Sequence, residues 1–319
     1  MTGNVLDNLS ELFRTVESDL GTRDLTNLSI LSFQESFDRF KPKDADDFLK
    51  QVNEVIEMIK STKPRIALII ENFYVVWQSL QDLSPEDKKD LKVCRKTILH
   101  SMDQLNKKMA LENKQLMEYG VKSIANDDTL LVHSHSHTVL DILRRAHSQG
   151  KKFRVIVAQQ EIEKTDAIIE YLNEHRIHFH VVPEYMLSHI EGEIDKVFLG
   201  GLTLNSSYNF VTDSGTMSIV SEFHLAKKPI FMFISSSKFS MWKAKEVHHT
   251  YKVKSKKTHC RRGINYEHIK FSHDRVPLEL FDYVVTELGS RSANETKKVF
   301  DSRFAERDNW RKTFFTDEN

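Results

Sequence analysis

The chain has 319 residues, and its 46 lysines and arginines are balanced by 46 aspartates and glutamates. With 39% hydrophobic and 29% charged residues it has the composition of a soluble globular protein, long enough for one large domain or two ordinary ones, and its zero net charge argues against a global field drawing it to nucleic acid or membrane. Its only cysteines, Cys94 and Cys260, exclude a disulfide framework and suggest a reducing, cytoplasmic compartment.

The start, "MTGNVLDNLSELF", lacks the basic-then-apolar order of a signal peptide. From Val5 to Val121 the apolar period is helical. Leu6, Leu9, Leu12, Phe13 and Val16 share one helix face, as do Phe48, Val52, Val55, Ile56 and Ile59. "LSPEDKKD" reads as a helix start, with Ser84 as cap, Pro85 in the first turn, and Glu86 and Asp87 at the positive end of the dipole. The apolar clusters "IALII" and "IFMFI" are too short to span a bilayer, so no membrane association is expected. Residues 1–126 are expected to form a helical bundle.

Beyond Asp127 the pattern changes. "TLLV", "FRVIVA", "FHVV", "KVFLGG" and "IFMFI" are short, apolar and rich in β-branched or aromatic residues, and amphipathic stretches separate them: "VLDILRRAHSQG", "EIEKTDAIIEYLNEH" and "TMSIVSEFHLAKK". Buried strands alternating with helices predict an α/β domain over 127–319: a Rossmann-like, mostly parallel sheet with helices on both faces. Ligands of such sheets bind beyond the carboxyl ends of the strands, which makes 133–137, 158–161, 200–208 and 234–238 the candidate rim. The basic run "KVKSKKTHCRRG" (Lys252 to Gly263) reads as a solvated surface loop, since no aromatic ladder accompanies it, and no direct nucleic-acid contact is expected.

"LLVHSHSHTVLDIL" places His133, His135 and His137 on the rim. Alternate residues of a strand face one way, so the three imidazoles could converge on zinc, with His178, His180, His248 and His249 as further candidates. The run leaves the strand within a few residues, however, and neither HExxH nor a paired-cysteine motif occurs. The reading adopted is a strand-to-helix turn capped by Ser136 or Thr138, with no metal and no cofactor. Neither GxGxxG, GxxxxGK[ST] nor GxSxG is present. The double glycine Gly200–Gly201 marks a tight turn or a close backbone approach.

Three segments carry a family resemblance. "LLVHSHSHTVLDILRRAHSQGKKFRVIV", "KKPIFMFISSSKF" and "VPLELFDYVVTELG" resemble, in order and spacing, the C-terminal domain of the regulatory alpha, beta and delta subunits of eukaryotic translation initiation factor 2B, most of all alpha. Pro277, Glu279, Leu280, Thr286, Glu287 and Gly289 match the closing segment, and Asp274 matches an aspartate upstream of it. The resemblance implies self-association through this domain. It also implies assembly with other initiation factor 2B subunits, and regulation of guanine nucleotide exchange on initiation factor 2. Methylthioribose-1-phosphate and ribose-1,5-bisphosphate isomerases share the fold. Their catalytic cysteine and aspartate correspond to Ser134 and Leu202 here, their Asn-Gly pair to Ser207 and Tyr208, and their Asn-Lys pair to Thr212 and Asp213. Glu161 stands where relatives carry an arginine suited to phosphate. The resemblance thus implies a degenerate sugar-phosphate or nucleotide pocket, formed by His133, Ser134, His135, Gly200, Gly201, Leu202, Lys238 and Asp274, and no catalysis.

A homodimer is expected. Phe239, Met241 and Trp242 follow a strand end where loops are normally polar, and Val276, Leu280, Val284 and Val285 fall at helix-compatible spacing. Phe239, Trp242 and Leu280 are therefore the candidate interface.

Overall fold

The structure is a computed structural model and describes residues 2–37, 39–62, 65–243, 252–258 and 262–315. It divides into two compact units: residues up to Asn113 together with the segment from Lys312, and Lys114–Arg311. The boundary between them falls inside a helix, where the composition of the chain does not change.

The first unit is helical. It contains α1 (Thr2–Ser36), broken at Gly21 by a φ of 74°, then α2 (Ala45–Lys60), α3 (Ala67–Gln81) and the start of α4 (Leu91–Lys122). Phe48, Val52, Ile56 and Ile59 of α2 are buried, as their spacing predicts. On α1 the expected face is looser: Leu9, Phe13 and Val16 are half-buried and Leu12 is 55% exposed. Phe33 anchors an aromatic cluster, with its ring centroid 4.9 Å from Phe37 and 5.1 Å from Phe73. Phe314 packs edge-on against Tyr74 and Trp77 at 5.3 and 5.4 Å. "LSPEDKKD" forms only one 3-10 turn, Asp87–Lys89. Ser84 accepts from the Asp87 N–H, but the helix then restarts, with Asp90 accepting from the Lys92 and Val93 N–H groups at the head of α4.

In the second unit, strands β1 (Thr129–Val132), β2 (Arg154–Gln159), β3 (Phe179–Pro183) and β4 (Lys196–Gly200) alternate with α5 (His137–Ser148) and α6 (Ile162–Glu174). A hairpin of β5 (Thr203–Leu204) and β6 (Asn209–Asp213) leads into α7 (Thr216–Leu225) and β7 (Ile230–Phe233). Then come β8 (Lys252–Thr258), β9 (Asn265–Phe271), β10 (His273–Pro277), β11 (Tyr283–Thr286) and β12 (Gly289–Arg291), and last α8 (Ala293–Glu306) and α9 (Asp308–Phe314). The main sheet has the order β12-β11-β7-β4-β1-β2-β3 and is parallel except for β12. The chain steps outward from β1 to β3 and returns at β4, so the crevice beyond the carboxyl ends of β1 and β4 is the topological switch point. β10, β6 and β5 form a small antiparallel sheet.

Two expectations are corrected here. The spacing of Val276, Leu280, Val284 and Val285 is not helical: Val276 lies in β10, Leu280 in a 3-10 turn, and Val284 and Val285 in β11 beside β7. Pro277 has no N–H to continue a helix, and "YVVT" is β-branched. The basic run is not a loop either. Its first seven residues are β8, paired antiparallel with β9 from Lys252↔Phe271 to Thr258↔Asn265.

Candidate functional site

The site is built on the loop between β1 and α5. Ser134 has a left-handed backbone, φ 68°, which turns the chain sharply after His133. Ser136 is the N-cap of α5, and its hydroxyl accepts from the Val139 N–H at 3.4 Å. A Cβ at Gly200 would lie 2.6 Å from the Ser136 Cβ and nearer still to its hydroxyl. The double glycine is therefore a close-approach device that lets β4 pass the cap. A Cβ at Gly201 would meet Met232 Sδ at 3.0 Å. The Leu202 N–H donates to the Val211 carbonyl, so its backbone serves the small sheet. Lys238 Nζ donates to the Gly201 carbonyl at 3.3 Å.

His133 is fully buried, with Nδ1 3.3 Å from Thr216 Oγ1 and Nε2 3.7 Å from Glu184 Oε2. Thr216 begins α7. Gly215 caps that helix at φ 92°, and a Cβ there would sit 2.8 Å from both Glu184 carboxylate oxygens. Asp274, reaching over from β10, accepts from the Met217 N–H at 2.9 Å. A helix N-terminus attracts anions; here two of the chain's own carboxylates lie against it.

Next to this cap, Lys164 of α6 forms an ion pair with Asp213 at the end of β6. Where the resemblance places a lysine at position 213, this chain has an acid, and a lysine from another element meets it. His135 lies beside this pair and against His137, their ring centroids 4.6 Å apart. Burial, then the neighbouring His137, pulls the His135 imidazole down to about 4, against the opposing pull of Asp213. Burial likewise lowers His273, with Asp213 acting in the opposite sense. Both rings are neutral at physiological pH. Glu161, expected to repel phosphate, is ion-paired with Lys270 of β9. Across the rim, buried Glu287 accepts from the Ser236 N–H and hydroxyl, and Arg303 donates to that hydroxyl.

Of the expected site residues, the structure joins Gly201 to Lys238 directly, and links His133 to Asp274 through the N-terminus of α7. Lys164, Glu184, Thr216, His273 and Glu287 were not singled out for the site from the sequence. They come from five segments far apart in the chain, and only "DSGT" before α7 signals a helix entry with an obligate glycine. Among the described residues no three His, Cys, Asp or Glu side chains could hold a metal together. His248, His249 and Cys260 lie outside the described residues. Phe239 and Met241 are not exposed as expected. They are 2% and 1% accessible, with Phe239 packed 5.8 Å from Phe300, because the loop folds back and the Ser240 N–H donates to Leu204. Trp242 and Leu280 are half-buried.

Comparison with known proteins sets this geometry in context. The sequence profile of the Initiation factor 2 subunit family matches residues 21–292. The chain belongs to this family. It is 29% identical over 161 residues to translation initiation factor eIF2B subunit delta of Schizosaccharomyces pombe, covering 50% of this chain and 33% of that protein. It is 27% identical over 158 residues to subunit alpha of Dictyostelium discoideum, covering 48% of each. The match thus spans a third to a half of the length of these eIF2B delta and alpha subunits. Ribose 1,5-bisphosphate isomerase of Thermococcus kodakarensis is 23% identical over 141 residues, 44% of this chain and 43% of that enzyme. Among solved structures, the tetrameric eIF2B-beta2-delta2 complex from C. thermophilum contains a chain superposing with a TM-score of 0.72 at 16% identity, covering 87% of this chain and 90% of that one. The chain is thus similar in sequence both to translation-factor subunits and to isomerases.

Proposed function

We propose that the chain is a non-catalytic, alpha-type regulatory subunit of an initiation factor 2B complex, supporting assembly and regulation of guanine nucleotide exchange on initiation factor 2. The observation that carries this is the family match over residues 21–292. The rim chemistry supports it. Ser134 offers no thiol and Leu202 no acid, while the N-terminus of α7 faces the chain's own carboxylates. A positioned acid or base contributes about 100- to 10,000-fold to proton-transfer chemistry, so losing both groups removes isomerase turnover. The chain pairs as a homodimer and joins other initiation factor 2B subunits. Affinity capture of the tagged chain from native lysate, with mass spectrometry, tests this. Stoichiometric recovery of those subunits is expected, and their absence at matched expression overturns the reading.

A second reading is favoured by one observation. His133 Nε2, Gln160 Nε2 and Thr212 Oγ1, all at or near the rim, are buried with no hydrogen-bond partner. Orphan groups of this kind invite a bound polar molecule, and Lys164 adds a cation. On that reading the pocket senses a sugar phosphate or nucleotide. A thermal upshift with ribose 1,5-bisphosphate or AMP, lost in Lys164→Ala, selects it. Steady conversion of ribose 1,5-bisphosphate by the purified chain selects an isomerase instead.

A further inference from the structure

The β8–β9 ribbon is a separate sheet, hydrogen-bonded to neither of the other two. A two-stranded hairpin alone is marginally stable in water. This one nevertheless leaves Ile264 54%, Tyr266 47%, Ile269 44% and Phe271 51% exposed. Its described residues, 252–258 and 262–271, contain Lys252, Lys254, Lys256, Lys257, Arg262 and Lys270 against the single acid Glu267. That is a formal +5 (six minus one) within a chain of net charge zero.

The sequence alone offered no aromatic partner for the lysines; the pairing supplies one. Tyr266 stands directly across from Lys257, His268 from Ser255, and Lys270 follows two residues later. Alternation along a strand puts Tyr266, His268 and Lys270 on one face with Lys257. Tyr266 and His268 are then about 7 Å apart along β9. Glu267 falls on the opposite face, across from Lys256. Lys270 also pairs with Glu161, but both side chains are about half exposed and such a pair holds little free energy. One face of the ribbon therefore combines two aromatic rings with two cations; the ribbon's own acid, Glu267, lies on the other face, and Glu161, from outside the ribbon, stands against Lys270.

We propose that this face binds a single-stranded nucleic acid: the lysines neutralise phosphates and the Tyr266 and His268 rings stack on bases. Rings spaced along a cationic strand match unpaired bases on a phosphate backbone. An acidic protein segment would use the charge and leave the ring faces idle.

The test is fluorescence anisotropy of the full chain with a labelled 20-nucleotide oligouridine, and with the deoxy strand of the same length, from 50 to 200 mM KCl. Binding that weakens linearly on a log–log salt plot is expected. Lys257→Ala should reduce that slope by about 1. Tyr266→Ala should weaken binding about five- to a hundredfold at unchanged slope, with Tyr266→Phe retaining it. The relative affinities of the ribose and deoxyribose strands identify which source is preferred. The ribbon is exposed, so unchanged melting of each variant is expected and checks its fold. No binding at 50 mM KCl overturns the proposal. So does binding that poly-glutamate competes equally while Tyr266→Ala has no effect, which would mark an acidic protein partner.

Discussion

At the scale of single residues, Gly200 and His135 show how closely the rim is packed. A methyl at Gly200 must push Ser136 from its capping position, adding the loss of a helix cap to the overlap. Gly200→Ala should cost roughly 2–4 kcal/mol in urea unfolding. Much of that cost should vanish in a Ser136→Gly background, where neither hydroxyl nor Cβ remains to be displaced, and a double-mutant cycle measures the coupling. His135 has a folded pKa of about 4 against an ordinary 6.5. A ring held neutral by the fold contributes stability that is complete above pH 6.5 and is lost as pH falls toward 4. After allowance for solvent screening of a half-buried group, this amounts to roughly 1–2 kcal/mol. The urea midpoint should fall between pH 7 and 4.5 by more in the wild type than in His135→Asn, and His273 should add in the same direction.

At the scale of elements, what could be read from the sequence followed from burial. "TLLV", "FRVIVA", "KVFLGG" and "IFMFI" are buried parallel strands, and a continuous apolar run flanked by amphipathic stretches has few other readings. The segment 276–285 was misread because a three-or-four spacing summed over a strand, a turn and another strand imitates a helix. β8 was illegible because a lysine-rich strand shows no apolar alternation, and its partner lies beyond a turn. The end of β1 was recognisable as a rim, but Lys164, Asp213, Glu184 and Asp274 meet there only through tertiary contact. The cap on α7 illustrates this: its acceptor, Asp274, is 57 positions from the N–H that it receives. Asp274→Ala should destabilise the second unit by about 1–2 kcal/mol, whereas Asp274→Asn, which keeps an acceptor oxygen, should lose less than half of that. Chemical denaturation of the two variants checks it.

At the scale of the whole molecule, the division into units is discontinuous in sequence. Phe314 and Phe315 are almost wholly buried and pack with residues of the first unit: Phe314 on Tyr74 and Trp77, Phe315 under the Arg65 guanidinium at 4.6 Å. Phe314→Ala should cost about 3–5 kcal/mol. The first unit should become protease-sensitive while the second keeps its melting transition. Self-association is tested at the same scale. Light scattering at micromolar concentration should give about twice 37.2 kDa. The informative substitutions are Trp242→Asp and Leu280→Asp, because Phe239 lies in the core and a charge there would report folding instead. A mass unchanged by either would place the interface elsewhere.

The late return of the chain to its first unit also has a temporal meaning. Domains made vectorially on a ribosome ordinarily mature in the order of their synthesis. Here the helices made first lack the aromatic pair that closes their core until residues 314 and 315 have emerged. By then every strand of the α/β unit has already been made. The second unit is therefore the first able to complete its fold, and the nascent helical unit must wait with Tyr74 and Trp77 uncovered. Nascent chains ending at residue 311 and at residue 315, each carried clear of the ribosomal tunnel by the same unstructured linker, should differ in protease resistance in the helical unit alone.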